Sequence, residues 1–260
     1  MDGLEANGLL RGYSHLLTGY IGSPSLLEAV VEVLQRLRKH NPGLTYVCDP
    51  VMGDNGALYV PPDLPAIYRA SVVPLATVVC PNQFELEQLT ERPAGSIATV
   101  EEALAAVDAL HALGPETVIV SSLQLEGGAG GEGEGGDRSG SISVLGSTTA
   151  RQAAGAPQRF RYELARRPGY FIGTGDVFAA LTLAWVDKMP DNVHGAVGQV
   201  LASLQAVLER TAAAEGVAAT CDEKTAAAWA ARELRLIQSQ ADILDPPAAF
   251  LPSTVDLVLG

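Results

Sequence analysis

The stretch "LTYVCDP", residues 44–50, places a short apolar run directly before an Asp-Pro step. A short apolar run that is stopped by proline is typical of a strand buried on both faces. Two later stretches have the same form: "ATVVCPN" (76–82) is stopped by Pro81, and "ETVIVSS" (116–122) ends in two serines. Strands of this kind, separated by helices, predict an α/β fold of three layers with a mostly parallel central sheet.

Helix signals lie before, between and after these strands. Ser23 and Pro24 are a suitable N-cap and first residue for a helix that ends near His40. Asn82 and Glu85 have capping-box spacing for a helix over 82–91, and Thr99 with Glu102 opens another helix that ends at Gly114. Further along the chain the patterns predict strands in "SISVLGS" and "RFRYELAR", helices near 174–188, 194–214 and 222–240, and a closing strand in "STVDLVL".

Composition limits the possible functions. The chain has 260 residues and a net charge of −13, which argues against nucleic acid or an anionic membrane as the main partner. Three cysteines without CxxC spacing predict neither a disulfide framework nor a zinc site, and no leader or membrane span is recognisable. We therefore expect one cytosolic domain over 1–260, with the glycine-rich stretch 126–141 as a flexible surface insertion.

Polar side chains follow the predicted strands where each strand ends. Asp49 follows the first of the three runs, Asn82 the second, and Ser121 with Ser122 the third. In open parallel sheets ligands bind beyond the carboxyl ends of the strands. The sequence therefore predicts a ligand site at this edge of the sheet.

The stretch "FIGTGDVFAALTLAW", residues 171–185, brings two glycines and a carboxylate to the start of an apolar helix. The amide groups of a helix N-terminus attract anions, and Gly173 and Gly175 let the backbone approach a phosphate closely. Asp176 could then accept a proton from a hydroxyl that attacks a phosphoryl group. Taken alone, the motif is more typical of a carboxylate that only interacts with the helix dipole.

Phosphate chemistry in this chain would depend on a divalent cation, because lysine occurs only at positions 39, 188 and 224. Mg²⁺ prefers one or two carboxylates together with water and substrate phosphates. Asp49, Asp54 and Glu85 are the acids near the predicted strand ends that could supply those carboxylates.

Several of these stretches, taken in order, resemble pyridoxal kinases of the ribokinase-like superfamily. The resemblance extends over nearly the whole chain from about Leu16. It rests on "YVCDPVMGDNGALYVPPDL", "PLATVVCPNQFELEQLT", "TVIVSS", "FIGTGDVFAALTLAWV" and "QSQADILDPP". It implies a ribokinase-like kinase domain that transfers phosphate from ATP to the 5′-hydroxymethyl group of pyridoxal, pyridoxine and pyridoxamine. The implied cofactors are Mg²⁺ or Zn²⁺ and a monovalent cation, K⁺ or Na⁺, and the family is homodimeric.

The resemblance also implies a role for individual residues. Asp176 would be the catalytic base, and Gly173, Thr174 and Gly175 the anion hole. The remaining implied roles concern the nucleotide, the metal and the vitamin: Asp49 near phosphates and cations, Asp54 as a metal-linked acid, Asn82 and Glu85 with ATP phosphates and metal-bound water, Ser121 and Ser122 near the nucleotide, Tyr59 covering the nucleotide, and Tyr20 beside the pyridine ring.

Some features depart from the family pattern. The family's first strand, glycine turn and flap have no counterpart before about residue 16, so the resemblance implies an N-terminally truncated fold with an unpaired strand edge. Cys80 stands where the family often has a hydroxyl residue near the monovalent cation. Two alternatives to an active pyridoxal kinase therefore stay open: a non-catalytic, truncated nucleotide-binding fragment and a kinase of the hydroxymethylpyrimidine type.

Overall fold

A computed structural model of the chain describes residues 1–125, 141–150, 157–167, 171–215 and 233–255. The predicted glycine-rich insertion, apart from Ser141, lies outside the described residues, as does the first part of the predicted helix near 222–240. Within the described part of the chain, no helix combines the length and the apolar character that crossing a membrane requires.

The strands confirm the predicted α/β class. Within the described residues, seven strands form one sheet in the order β1-β2-β5-β6-β7-β8-β9, and β3 pairs with β4 alone. The pairs β1–β2, β2–β5 and β5–β6 are parallel, and β8–β9 is antiparallel. The strands are β1 (His15–Thr18), β2 (Thr45–Cys48), β3 (Gly53–Asp54), β4 (Ala57–Leu58), β5 (Val78–Val79), β6 (Thr117–Leu123), β7 (Ser141–Thr148), β8 (Gln158–Ala165) and β9 (Thr254–Val255).

The helices occupy most of the predicted segments. The α-helices are α1 (Asp2–Ala6), α2 (Pro24–His40), α3 (Leu64–Ile67), α4 (Gln83–Leu89), α5 (Val100–His111), α6 (Thr174–Lys188), α7 (Val193–Glu215) and α8 (Gln240–Leu244). A π-helical turn spans Tyr68–Val72. Short 3-10 turns span Leu9–Gly12, Val73–Leu75, Ile237–Ser239 and Ala248–Phe250.

The helix starts follow the caps that the sequence predicts. The Ser23 hydroxyl accepts a hydrogen bond from the Leu26 amide at 3.3 Å, and Pro24 is the first residue of α2. Complete capping boxes open α4 at Asn82 and α5 at Thr99. These side chains pair backbone N–H groups that have no partner inside the helix, which is why the helices begin there.

Several boundaries differ from the predictions. The segment between β2 and β5, for which the sequence patterns above predict no element, contains the β3–β4 hairpin, α3 and the π-helical turn. The predicted strand 116–122 continues to Leu123, so Ser121 and Ser122 lie inside β6. Of the predicted helix near 222–240, the described part from residue 233 holds only a 3-10 turn and the start of α8.

The chain divides into two compact units. The first comprises residues 1–126, 144–159 and 257–260, and the second comprises 127–143 and 160–256. The core of the first unit combines the apolar faces of α2, α4 and α5 with the side chains of the sheet. In the second unit, α6 packs against α7, and 3-10 turns and α8 pack on α7. The predicted single domain over 1–260 stays a prediction.

Candidate active site

Asp49 lies where the parallel strand β2 ends. Its amide donates a hydrogen bond to the Thr18 carbonyl at 2.9 Å, which continues the β1–β2 ladder by one residue. Only 6% of Asp49 is exposed. A carboxylate this deeply buried is rare unless it is paired or has a role in a site.

Asn82 and Glu85 form a complete capping box at the start of α4. The Asn82 side-chain oxygen accepts from the Glu85 amide at 2.8 Å, and Glu85 Oε2 accepts from the Asn82 amide at 2.9 Å. Glu85 Oε1 accepts from the Met52 amide at 3.0 Å, and Asn82 Nδ2 donates to the Gly53 carbonyl at 2.8 Å. The sequence predicted this capping box. The structure adds that the same two side chains also hydrogen-bond to the backbone of residues 52 and 53.

The environment of Glu85 favours its neutral form. Burial raises the pKa of this carboxyl group to about 8, and the negative charge of Asp49 adds to the rise. Hydrogen bonds from the amides of Asn82, Met52 and Gly53 act in the opposite direction. Asp49 and Glu85 are therefore neighbouring buried acids whose like charges would be relieved by a cation.

Asp54 lies on a tight hairpin. Asn55 and Gly56, with φ of 49° and 80°, form the turn between β3 and β4, and this combination is typical of a two-residue type I′ hairpin. Asp54 is exposed, and its two carboxylate oxygens accept from the amide and the side chain of Asn55 at 2.8 and 2.9 Å. Asp54 is the last residue of β3, so it belongs to the two-stranded hairpin and not to the seven-stranded sheet.

The three acids do not form a metal site made of protein ligands alone. Among the residues that the structure describes, no three His, Cys, Asp or Glu side chains are grouped so that they could hold a metal ion. Two buried neighbouring carboxylates, Asp49 and Glu85, still fit a hard divalent cation that takes its other ligands from phosphate and water.

Hydroxyl groups near these strand ends lie on β6, and a thiol group follows β5 directly. The Ser121 amide donates to the Pro81 carbonyl at 2.9 Å, and its hydroxyl donates to the same carbonyl at 3.4 Å. Ser122 is half-buried beside it on β6. Cys80 is buried, and its amide donates to the Cys48 carbonyl at 2.9 Å.

Two tyrosines are exposed: Tyr20, which was expected beside the pyridine ring, and Tyr59, which was expected to cover the nucleotide. Tyr20 is 60% exposed, and its ring lies over Gly22, where an added Cβ would be 2.8 Å from the phenol oxygen. Tyr59 is also 60% exposed and follows the hairpin directly, its amide donating to the Met52 carbonyl at 2.8 Å. Large exposed aromatic rings are compatible with stacking on planar ligands.

A polar cluster lies beneath the strand ends in the core. Thr18 Oγ1 and Tyr46 Oη are 2.8 Å apart. Burial raises the pKa of the Cys48 thiol to about 12. Tyr68 is fully buried, its hydroxyl has no hydrogen-bond partner within the described structure, and burial raises its pKa.

The glycine-flanked helix start lies in the second unit. Gly173 is the N-cap of α6 with φ of 85°, in the left-handed region where glycine is favoured, and no side chain caps the helix. Asp176 is in the first turn, as predicted, and its carboxylate is exposed. Unpaired amide groups at the start of a 15-residue helix are suited to binding an anion.

Some residues of the site region were missed in the sequence. The side chain of Gln83 joins two segments, since it donates to the Ile97 carbonyl at 2.7 Å and accepts from the Gln124 amide at 2.8 Å. Buried Glu87 accepts from the amides of Gly95 and Ile97 at 2.9 and 3.0 Å. Neither residue is part of a local motif, because its partners are distant in sequence.

Comparisons with known proteins decide the family. The family model described as phosphomethylpyrimidine kinase matches residues 13–218. The chain is 42% identical over 250 residues to a pyridoxal kinase of Arabidopsis thaliana, covering 95% of this chain and 72% of that protein. It is 40% identical over 251 residues to the human pyridoxal kinase, covering 94% and 76%. The chain belongs to the pyridoxal kinase family.

Solved structures of the pyridoxal kinase family have the same fold. The pyridoxal kinase of Leishmania donovani in complex with ADP matches with a TM-score of 0.81 and 27% identity, covering 98% of this chain and 79% of that one. The complex of that enzyme with ADP and pyridoxamine matches with a TM-score of 0.80 and 26% identity over the same shares. These matches confirm the resemblance and the ribokinase-like fold that the sequence predicted.

Proposed function

We propose that this protein transfers the γ-phosphoryl group of ATP to the 5′-hydroxymethyl group of a vitamin B6 aldehyde, alcohol or amine. The observation that carries the proposal is identity above 40% to a pyridoxal kinase over 95% of the chain. The helix start at Gly173–Asp176 supports it, because it combines amide groups for a phosphate with an exposed carboxylate. Structural neighbours from Leishmania donovani hold ADP with pyridoxamine or with pyridoxine.

In the proposed reaction Asp176 accepts the proton of the vitamin hydroxyl group. The hydroxyl oxygen attacks the γ-phosphorus, the bond from that phosphorus to the β–γ bridging oxygen breaks, and ADP leaves. The amides of Gly173, Thr174 and Gly175 donate to the phosphoryl oxygens, where negative charge develops during transfer. The left-handed conformation of Gly173 fixes these amides before substrate binds.

The proposed cofactors are Mg²⁺ or Zn²⁺ and a monovalent cation, K⁺ or Na⁺. Asp49 and Glu85 would hold the divalent cation from the strand ends, and Asp54 would approach it from the hairpin. The support is the chemistry of the donors. Asp49 and Glu85 are buried neighbours, and the pKa of Glu85 is raised. A bound cation would stabilise the ionised form of both acids. The cation would neutralise phosphate charge, which a chain with so little lysine needs.

The remaining roles concern ligand contacts. We assign Ser121 and Ser122 to the nucleotide phosphates, Tyr59 to the nucleotide and Tyr20 to the pyridine ring. The support for the tyrosines is their exposure, which leaves each ring able to stack on a ligand. We assign Asn82 to the ATP phosphates. In the ligand-free protein its side-chain atoms hydrogen-bond to the backbone of Gly53 and Glu85. We also extend the proposal to a cytosolic homodimer, as in the family resemblance.

A second candidate is phosphorylation of a hydroxymethylpyrimidine. The observation that favours it is the family model, whose description names a phosphomethylpyrimidine kinase and which spans residues 13–218. The same helix start would serve both reactions, because both transfer a phosphoryl group to a primary alcohol on a flat nitrogen heterocycle. The curated relatives named above favour the vitamin B6 substrate.

The test is turnover of the purified chain with ATP and Mg²⁺ on pyridoxal, pyridoxine, pyridoxamine and hydroxymethylpyrimidine, measured as ADP released and as phosphorylated product. We expect product from the three vitamers and at least tenfold lower kcat/KM for the pyrimidine. Asp176→Asn should abolish turnover. The matched control is Asp63→Asn, the same change at an exposed acid that makes no side-chain capping bond. Binding of ATP without turnover of any alcohol would instead support the non-catalytic fragment.

A further inference from the structure

The sequence contains two Asn-Gly pairs, and all four residues are exposed. Asn7–Gly8 lies at the end of α1, and Asn55–Gly56 is the turn between β3 and β4. In an Asn-Gly pair the backbone nitrogen of the glycine can attack the side-chain amide of the asparagine, because glycine has no side chain to hinder the approach. The structure therefore places the same reactive pair in two different surroundings.

At the first pair the attacking nitrogen is engaged in a hydrogen bond. The Gly8 amide donates to the Glu5 carbonyl at 2.9 Å, and Gly8 has a φ of 68°, which is typical of the residue that follows a helix. The Asn7 side chain is also held, since its Nδ2 donates to the Gly3 carbonyl at 2.6 Å. Attack by the Gly8 nitrogen on Asn7 would first require the bond to Glu5 to open.

At the second pair the attacking nitrogen is not engaged. Within the described part of the chain, no group accepts a hydrogen bond from the Gly56 amide, and nothing lies within 4 Å of a Cβ atom added to Gly56. The side-chain nitrogen of Asn55 donates to Asp54 Oδ2 at 2.9 Å. The side-chain nitrogen is thus hydrogen-bonded in both pairs, and the two pairs differ in the backbone nitrogen of the glycine.

We propose that Asn55 is a modification site, at which the chain converts the side-chain amide to a carboxylate without an enzyme. Hydroxide removes the proton of the Gly56 amide, and the nitrogen attacks Cγ of Asn55. The bond from Cγ to Nδ2 breaks, the departing nitrogen takes a proton from water and leaves as ammonia, and a five-membered succinimide ring remains. One water molecule then opens the ring at either carbonyl group. The products are aspartate and isoaspartate, and the net change is the exchange of ammonia for water.

The modification changes the surroundings of Asp54. Both products replace the donor at Nδ2 by a carboxylate, so the bond to Asp54 Oδ2 is lost and two like charges become neighbours. Isoaspartate also adds a methylene group to the main chain of a two-residue turn, which does not fit the register in which Asp54 pairs with Ala57. The inference rests on the proposed function only in one respect, the role of Asp54 toward the divalent cation.

The first measurement is mass spectrometry of tryptic peptides after incubation of the folded wild-type chain at neutral and at mildly alkaline pH. The two pairs fall in separate peptides, residues 1–11 and 40–69. We expect Asn55 to react about 2–10-fold faster than Asn7, since one ordinary hydrogen bond must first open at Gly8. Both rates should rise with pH, because hydroxide removes the amide proton. The same two peptides incubated after digestion are the reference, and there the two rates should be similar.

Equal rates at the two asparagines of the folded chain, or a faster reaction at Asn7, would overturn the proposal. It would also be overturned if Asn55 stayed intact in the folded chain over the time in which the free peptide reacts completely. The matched control variant is Asn55→Gly, because a Gly-Gly pair also forms a type I′ turn but has no side-chain amide to lose. Isoaspartate in peptide 40–69 of this variant would show that another residue reacts, and would contradict the assignment to Asn55.

The second measurement is calorimetry of ATP binding as a function of Mg²⁺ concentration, before and after the incubation. Loss of a group that orients a metal ligand commonly weakens metal affinity by ~10-fold or more, and we expect that loss in the converted wild type and no change in incubated Asn55→Gly. Equal affinity before and after complete conversion would overturn the effect on Asp54. A wild-type chain that binds no ATP at any Mg²⁺ concentration would contradict the proposed function, whereas the mass spectra would still decide the modification, so the two failures are distinguishable.

Discussion

At the start of α4 each polar side-chain atom of Asn82 and Glu85 is bonded within the protein, whereas no side chain caps the start of α6. Glu85 is 3% exposed, but Asp176 is exposed on the first turn of its helix. Both helices begin with a carboxylate in the first turn, yet one carboxylate is buried and holds backbone amides, and the other is exposed.

This difference shows that a carboxylate in the first turn of a helix can have different roles, depending on its burial and its hydrogen bonds. Bonds to backbone amides at α4 stabilise a fixed arrangement of helix and hairpin, and they leave few lone pairs for a substrate. At α6 the N-cap is Gly173, which has no side chain to accept a hydrogen bond from the amide groups. Substitutions at the start of α4 should therefore lower stability as well as activity, and substitutions at the start of α6 should affect mainly catalysis.

The largest expected effect is on turnover and concerns Asp176 at the start of α6. Asp176→Ala should lower kcat by about 10²–10⁴-fold, the usual contribution of a positioned base, and leave the affinity for ATP nearly unchanged. The melting temperature should stay close to that of the wild type, since the side chain is exposed. Steady-state kinetics and a thermal melt check both statements. Activity within threefold of the wild type would contradict the role assigned to Asp176.

The next largest effect is on stability and concerns Glu85 at the start of α4. Glu85→Ala should lower the free energy of unfolding by about 2–4 kcal/mol, because it leaves buried backbone amides without an acceptor. Urea denaturation measures the loss, and Glu101→Ala, in the exposed first turn of α5, is the control. A loss below 1 kcal/mol would mean that water replaces the carboxylate and that the α4 start is as accessible as the α6 start.

The pH dependence of stability tests the same residue without changing the protein. The pKa of Glu85 is raised from 4.5 to about 8 in the folded state, so folding favours the protonated carboxyl. Its stabilising contribution is complete below pH 4.5 and is lost as the pH rises toward about 8. The wild type should lose up to ~1.4 kcal/mol per pH unit across this window from Glu85 alone. Glu85→Ala should lack this contribution, and equal slopes in both proteins would contradict it.

The smallest effect concerns the glycine cap. Gly173→Ala forces a Cβ into the left-handed region and should cost about 1–2 kcal/mol of unfolding free energy. An ordinary van der Waals distance of 3.9 Å to Asp176 means that space is not the obstacle. Gly3→Ala is the control, because nothing lies within 4 Å of its added Cβ and its φ is not positive. An equal effect at both glycines would show that the left-handed cap does not matter.

The sequence predicted much of this fold because its signals are local. The proline after Asp49, the capping boxes at Asn82 and Thr99, and the glycines around Thr174 each specify an element from neighbouring residues. The Asn55-Gly56 pair was also a local hairpin signal, although it was not used. This pair forms the turn that follows Asp54, so Asp54 ends a strand of the hairpin and not a strand of the main sheet.

The rest of the site depends on contacts between residues that are distant in sequence. Asn82 holds Gly53 across 29 residues, and Gln83 holds Gln124 across 41. A capping box predicts that Asn82 and Glu85 bond to each other, but it cannot predict that the same atoms also anchor a hairpin. The individual site assignments therefore remain predictions for mutagenesis, while the fold class is confirmed.

The burial of Cys48 in β2 has a practical consequence. A thiol with a pKa near 12 and no exposed surface does not react with iodoacetamide while the sheet is intact. The rate of alkylation of this sulfur therefore reports how often the central strands separate. With Cys80 and Cys221 replaced by alanine, mass spectrometry of the labelled chain would measure the rate at which the sheet opens. A ligand that binds and stabilises the sheet would slow the labelling, so binding could be detected without an enzymatic assay.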